Sequence, residues 1–179
     1  IGKDGVVRFN DFHVTPKQGA EIINQLRSQP IPEQVPAKVL KPVQTLPVSR
    51  GGQDVIGTQM IPLKFDGMIE TSTAPKQISD KTKTQPITVY RWWTNTCPYC
   101  EASLPALEQL RQKYESKGVR FVAVYHPKPP REIAAKEAAE MARKMGFEGP
   151  VAVDQDWSLL RQAYLDHGNR GATSVTFVV

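Results

Sequence analysis

The 179-residue sequence contains only two cysteines, Cys97 and Cys100, and only three histidines, at positions 13, 126 and 167. A structural zinc site needs four ligands, usually two cysteine pairs or one pair with suitably spaced histidines. The three histidines have no such spacing, so we predict no metal site. One close pair of cysteines also leaves none over for structural disulfides, and the cysteine count alone therefore does not identify the cellular compartment.

Long apolar runs and clustered charge are also missing. No run approaches the ~20 apolar residues of a membrane span, so we expect no stable span. The net charge is +5, yet lysines and arginines are dispersed among acidic residues, with no basic stripe and no interleaved aromatic residues. This distribution is typical of a solvated surface and argues against a nucleic-acid partner.

The most informative feature present is the motif Cys97-Pro98-Tyr99-Cys100, placed where a β-rich run over residues 87–93 gives way to a helical pattern. A thiol at such a junction lies among unpaired backbone N–H groups at the positive end of a helix dipole, and both stabilise the thiolate. The second thiol lies one turn further on, near enough to close a disulfide. The spacing predicts a dithiol oxidoreductase that needs no bound cofactor.

Turn signals and hydrophobic periodicity predict strands that alternate with helices, and therefore an α/β sheet. Residues 30–50 carry five prolines and predict an extended linker or arm. The expected strands are residues 6–9, 59–65, 68–71, 87–93, 119–125, 151–153 and 173–179; the expected helices are residues 15–27, 98–116, 131–145 and 157–164.

Residues 89–108 resemble the active-site strand and helix of thioredoxin-like proteins, most closely the TlpA/ResA-like thiol–disulfide oxidoreductases of the redoxin group. Trp93, four residues before Cys97, and Pro105, eight after it, stand at family positions. The resemblance implies a thioredoxin-like α/β fold with a mixed central sheet flanked by helices. It also implies protein disulfides or dithiols as substrates and an extracytoplasmic bacterial location, with the proline-rich segment as a tether or leader remnant.

The order of the segments departs from that family. In it, the strand that residues 173–179 resemble is followed by a turn, an antiparallel strand and a last helix, and here residues 1–27 supply those pieces. We therefore expect a cyclic rotation, in which residues 1–29 form the final strand and helix of a domain whose main part is residues 51–179. The alternatives are that residues 1–29 end a preceding repeat or mimic the match by chance.

The resemblance implies that Cys97 is the attacking thiol and Cys100 the more buried resolving thiol. Thr96 and Pro98 flank Cys97, and the Pro98-Tyr99 dipeptide, typical of glutaredoxins, tunes the redox potential. Trp92 and Trp93 are expected in the core, with Trp93 bordering the site.

Two residues depart from the family pattern. Arg91 stands where thioredoxins carry a buried acid, and arginine cannot act as a base. It either faces the thiols and favours a thiolate, or pairs with a buried acid and has no redox role. Ser174 takes the place of a cis-proline, and a cis bond before a non-proline residue costs about 2.5–4 kcal/mol, so we expect a trans bond between Thr173 and Ser174.

Three alternatives stay open. The dithiol could hold copper in a thioredoxin-fold binding module, or the chain could be a peroxide-reducing redoxin. His126, at the end of a predicted strand, is either an auxiliary acid–base group or an ordinary loop histidine. The direction of electron flow does not follow from the sequence.

Overall fold

A computed structural model describes residues 7, 9–11, 15–28, 52–71 and 87–179. The proline-rich segment 30–50 and the predicted turn at residues 3–5 lie outside these described residues. The strands are β1 (Phe9–Asp11), β2 (Gly67–Ile69), β3 (Thr88–Trp93), β4 (Arg120–Tyr125), β5 (Val151–Val153) and β6 (Thr176–Val178). The helices are α1 (Pro16–Ser28), α2 (Pro98–Tyr114), α3 (Ala135–Lys144) and α4 (Ser158–Ala163), with short 3-10 turns at Gln53–Val55, Glu115–Lys117 and Leu165–His167.

The strands form one mixed sheet in the order β1-β6-β3-β4-β5-β2. The three central strands β3, β4 and β5 are parallel, with β6 antiparallel to β3 and β2 antiparallel to β5. Parallel strands need a crossover, and α2 and α3 provide the crossovers from β3 to β4 and from β4 to β5. The predicted α/β class with a mixed sheet flanked by helices is confirmed.

The N-terminal strand β1 pairs antiparallel with β6, with Phe9 opposite Val178. The strand begins later than the predicted residues 6–9, because Val7 leaves this ladder and hydrogen-bonds instead to the backbone of Gly57 and Thr58. Residues 1–6 are not described, so the distance between the chain ends is not defined. The antiparallel contact itself agrees with the expectation from the sequence.

Helix α1 begins with the capping box that the sequence predicts. The Gln18 N–H donates to the Thr15 hydroxyl oxygen (3.3 Å), and the Thr15 N–H donates to the Gln18 side chain (3.1 Å). The apolar stripe of the helix is buried against the sheet, with Ile23 only 1% exposed and Leu26 also buried. Helix α1 and α2 therefore cover the same face of the sheet.

Side chains alternate along β3 between two cores, as the two-residue period of a strand requires. Val89 and Trp93 pack with α1, α2 and α3 on one face, whereas Trp92 packs with α4 and Phe177 on the other. Arg91 has the same parity as Val89 and Trp93, so it lies on the face that α2 covers. Both tryptophans are fully buried, which confirms their predicted place in the core.

Other predicted boundaries differ in detail. Residues 59–65 were expected to be a strand but carry no strand beyond a single bridge residue, and they contribute apolar side chains to the second core instead. Helix α3 starts four residues later than predicted, after the proline-rich turn of residues 127–130. The final strand is Thr176–Val178 and not residues 173–179; of the residues before it, Val175 packs in the second core and Thr173 pairs with His126.

Candidate functional site

Cys97 lies at the boundary between the loop after β3 and helix α2. It is the N-cap residue of α2, with Pro98 at the first helical position, where a missing N–H costs nothing. Its carbonyl oxygen accepts the backbone N–H groups of Cys100 (2.9 Å) and Glu101 (3.2 Å). The thiol is partly exposed, as an attacking group requires.

The surroundings of Cys97 favour its thiolate. Burial would raise the pKa of the Cys97 thiol, but hydrogen bonds from the Cys100 thiol, the Cys100 backbone N–H, the Ser174 hydroxyl and the Tyr99 backbone N–H outweigh it and lower the pKa below the ordinary value. Three of these groups belong to the first turn of α2 or its N-cap. The two backbone N–H groups act in the direction that the helix N-terminus predicts, and the lowered pKa of Cys97 stays a prediction for measurement.

Cys100 has the opposite environment. It is fully buried, and burial raises the pKa of its thiol, aided by its hydrogen bond to Cys97 and only partly offset by Arg91, the Ser174 hydroxyl and the Thr94 backbone. The proton of the pair therefore stays on Cys100 while Cys97 ionises first. This asymmetry matches the roles expected for an attacking and a resolving thiol.

Arg91 is 3% exposed and lies close enough to both cysteines for their charges to act on its pKa, with Cys100 the nearer in effect. Its guanidinium donates to the Ser103 hydroxyl (3.2 and 3.0 Å), to the Ser174 carbonyl oxygen (2.9 Å) and weakly to the Thr176 hydroxyl (3.4 Å). No carboxylate among the described residues is within ion-pair distance of it. Of the two interpretations of Arg91 from the sequence, these contacts favour the one in which it faces the thiols, and its redox role stays a prediction.

Ser174 stands beside the dithiol, as expected for the residue at the family's cis-proline position. The bond between Thr173 and Ser174 is trans, which confirms the expectation from the cost of a cis bond. The Ser174 hydroxyl is buried, and among the described residues its contacts with the two thiols fall outside standard hydrogen-bond geometry. It is nevertheless close enough to both thiols to lower the pKa of each.

The other predicted site residues surround the dithiol at different depths. Thr96, Pro98 and Tyr99 are exposed next to Cys97, and the Tyr99 side chain is 57% exposed. Trp93 is fully buried and packs on the Tyr125 ring, with the ring centroids 4.8 Å apart. It therefore supports the site from within the core and does not form part of its surface.

Sequence reasoning missed Ser103 as a site residue. Its hydroxyl accepts from Arg91 and donates to the Cys100 carbonyl oxygen (3.3 Å), so it links the guanidinium to the start of α2. The available signal was its position three residues after Cys100, which places both side chains on one face of the helix.

His126 lies at the end of β4 and is fully buried. Burial, with the positive charges of Lys128 and Arg91, lowers its pKa to about 3, against the opposing effect of the Trp93 carbonyl. Its Nε2 pairs with the Thr173 hydroxyl at 3.0 Å. A histidine that stays neutral to pH 3 is a poor proton carrier at neutral pH, so the structure argues against an auxiliary acid–base role.

The buried neutral His126 gives a prediction for acid stability. Its pKa is lower in the folded protein than the ~6.5 of an unfolded chain, so between these values the unfolded state binds more protons. We expect this group to remove about 1.4 kcal/mol of the free energy of unfolding per pH unit as the pH falls from about 6.5 towards 3. Urea unfolding at several pH values should show a shallower loss for His126→Gln. An unchanged slope would contradict the assignment.

Among the described residues, one group of carboxylates could in principle hold a cation: Asp66, Asp154 and Asp156, with oxygens within 4.8 Å of one another. Each accepts a backbone N–H, from Gln155, from Leu159 and Leu160, and from Ser158 respectively. Asp154 also accepts the Trp92 indole N–H. These contacts explain the cluster as loop and helix-start structure, and it includes neither cysteine.

The parallel βαβ core and the two thiols at the start of α2 define a class, the thioredoxin-like oxidoreductases. The family model described as Redoxin matches residues 57–179. That is more than half of the chain, so the chain belongs to the Redoxin family.

Three solved structures illustrate the likeness. A secreted Mycobacterium tuberculosis disulfide oxidoreductase homologous to E. coli DsbE is 22% identical over 45% of this chain and 55% of its own, with a TM-score of 0.36. StoA from Bacillus subtilis is 20% identical over 44% and 57%, also with a TM-score of 0.36. A thioredoxin-like protein in the oxidized form is 22% identical over 58% and 67%, with a TM-score of 0.45.

The match to the first two of these structures spans little more than half of their length. The comparison with curated proteins found no match. In the described part of the chain, no helix has the length and apolar character needed to cross a membrane.

Proposed function

We propose that this chain is a thiol–disulfide oxidoreductase that exchanges disulfides with protein partners through Cys97 and Cys100. The observation that carries the proposal is the asymmetry of the pair: one thiol is partly exposed with a lowered pKa, and the other is buried with a raised pKa. Thiol–disulfide exchange needs both, because the thiolate attacks and a protected second thiol resolves the mixed disulfide.

The surface around Cys97 suits a protein substrate. Thr96, Pro98 and Tyr99 are exposed around the thiol and offer a rim that a peptide can contact. Ser174 supplies a trans backbone beside the dithiol in place of the family's proline, and the peptide substrate is expected to lie along it. We place the protein outside the cytoplasm of a bacterium, on the resemblance to TlpA/ResA-like proteins.

Alkylation of the reduced protein tests the assignment of the two thiols. We expect iodoacetamide to modify Cys97 before Cys100 at neutral pH, because the reactive form is the thiolate and Cys100 is both buried and protonated. Mass spectrometry of peptides after timed alkylation, repeated across pH, gives the rate for each cysteine. Faster modification of Cys100 would reverse the roles.

The reduced protein before alkylation also serves to test the redox reaction. Incubation with oxidised glutathione is expected to join the two cysteines in one intramolecular disulfide, which iodoacetamide cannot alkylate. Dithiothreitol is expected to reduce this disulfide and restore two thiols that can be alkylated. Persistent alkylation of both cysteines after incubation would contradict the proposed function.

A further inference from the structure

Arg91 is a buried cation, and the groups that accept its N–H groups in the described residues are neutral: the Ser103 and Thr176 hydroxyls, the Ser174 carbonyl and the protonated Cys100 thiol. A buried charge is costly unless an opposite charge accompanies it. Arg91 also lines a small cleft of about 30 Å³, whose walls are mostly apolar side chains of α1, α2 and strands β1, β3 and β6. The surroundings of Arg91 therefore screen its charge poorly.

The negative charge available to Arg91 is the thiolate of the reduced pair. Arg91 interacts electrostatically with Cys97, whose thiolate carries the charge of the reduced pair, and with Cys100, which carries negative charge when the disulfide opens and before it is protonated. The reduced protein supplies this charge, whereas a disulfide between the two cysteines is uncharged. Oxidation consequently leaves Arg91 buried beside a neutral group, and reduction restores its partner.

We propose that Arg91 makes the Cys97–Cys100 disulfide an oxidant, so that the substrates of the site are protein dithiols to which it transfers its disulfide. This inference rests on the proposed function and gives the direction of its reaction. The physical reason is that Arg91 stabilises the reduced state selectively, which raises the reduction potential of the couple. Arg91 is a positioning residue, since it acts through the sulfur atoms and does not touch the substrate.

The exchange balances as follows. A substrate thiolate attacks Cys97 Sγ, the Cys97–Cys100 bond breaks, and Cys100 leaves as a thiolate beside Arg91. A second substrate thiolate then attacks the substrate sulfur of the mixed disulfide, and Cys97 leaves. The substrate's two thiols lose two electrons and form a disulfide, while the enzyme's disulfide gains them. Of the two protons released, one ends on Cys100 and the other passes to solvent.

The equilibrium with glutathione tests the inference on the full chain. The constant for forming the enzyme disulfide from oxidised glutathione should rise at least tenfold in Arg91→Met, because the reduced state loses its stabilising charge. A tenfold change corresponds to about 30 mV towards a more reducing couple. Arg91→Lys keeps the charge and should lie nearer to the wild type.

Arg120→Met is the matched control. Arg120 starts β4 opposite Thr88, the first residue of β3, whereas the dithiol follows the last residue of β3, Trp93. The length of β3 between these two residues is about 17 Å. Arg120 forms an ion pair with Glu70. We expect its glutathione equilibrium to equal that of the wild type. A shift in Arg120→Met as large as that in Arg91→Met would overturn the local role of Arg91.

Ser103→Ala provides a second variant in case Arg91→Met does not fold. It removes the hydroxyl that accepts two guanidinium N–H groups, and it should shift the equilibrium in the same direction by a smaller factor. An unchanged or lowered constant in the folded Arg91 and Ser103 variants would overturn the inference. If glutathione forms no intramolecular disulfide even in the wild type, the proposed function itself fails, so the two failures are distinguishable.

Discussion

Replacing Cys100 by serine is expected to leave the protein linked to its partners through stable mixed disulfides at Cys97. The partly exposed Cys97 thiolate can still attack a disulfide, but the buried thiol that would release the captured partner is gone. Cys97→Ser should capture few partners or none, because Cys100 is fully buried and its pKa is raised. The measurement is a comparison of non-reducing gels of cell extracts in which each variant replaces the wild type.

The double variant Cys97→Ser/Cys100→Ser is the control for disulfides formed by other means. It has the same rim of Thr96, Pro98 and Tyr99, so any complex that it retains reflects ordinary surface contact. The ordered mechanism fails if the two single variants capture the same amount of partner, or if the reducing agent dithiothreitol leaves the complexes intact.

The dithiol and its place in the fold could be predicted because local sequence determines them. Two cysteines three residues apart after a β-rich run, with Pro98 at the first helical position, define an N-terminal helix site before any tertiary contact is known. Strand β5 was predicted with its observed bounds, since its short apolar run is bracketed by Pro150 and Asp154. These features follow from neighbours in the chain.

The environment of Arg91 could not be predicted in the same way. Its parity in β3 places it on the side of α2, but the absence of a carboxylate partner among the described residues depends on which side chains of α2, β6 and the loop before β6 meet there. The extreme pKa of His126 likewise comes from burial beneath residues distant in sequence, such as Thr173 and Trp157. Long-range packing therefore determines the partners of Arg91 and the protonation state of His126.

The expected strand at residues 59–65 failed for a related reason. Apolar residues there alternate as in a strand, but among the described residues they form no ladder beyond the bridge residue Gln59, and their side chains complete the second core. Alternation indicates which side chains are buried, and a ladder also needs a free neighbouring edge. The described edge next to β5 is already occupied by β2.

A chain of residues 51–179 alone is expected to lose its stable fold. It would lack β1, which covers the edge of β6, and α1, whose Ile23 and Leu26 are buried in the main core. Removing one such side chain costs about 2–5 kcal/mol, so losing both is comparable with the ~5–15 kcal/mol that typically separates folded from unfolded domains. The exposed β6 edge would in addition promote aggregation. Circular dichroism and urea unfolding of the fragment measure the loss.

The rotated order that we propose predicts that residues 1–29 restore the fold of the 51–179 fragment when they are attached to its C-terminus. Joining residues 1–29 after Val179, in a chain that begins at residue 51, should restore cooperative unfolding and the glutathione equilibrium of the original chain. The physical reason is that β1 would follow β6 as its hairpin partner, and the Tyr114 hydroxyl could again donate to the Ala20 carbonyl oxygen of α1. A matched chain carrying Ile23→Asp in the appended segment should fail, since it buries a charge without a partner. Stable folding of residues 51–179 without the segment, or no rescue by its native sequence, would show that residues 1–29 do not complete this domain.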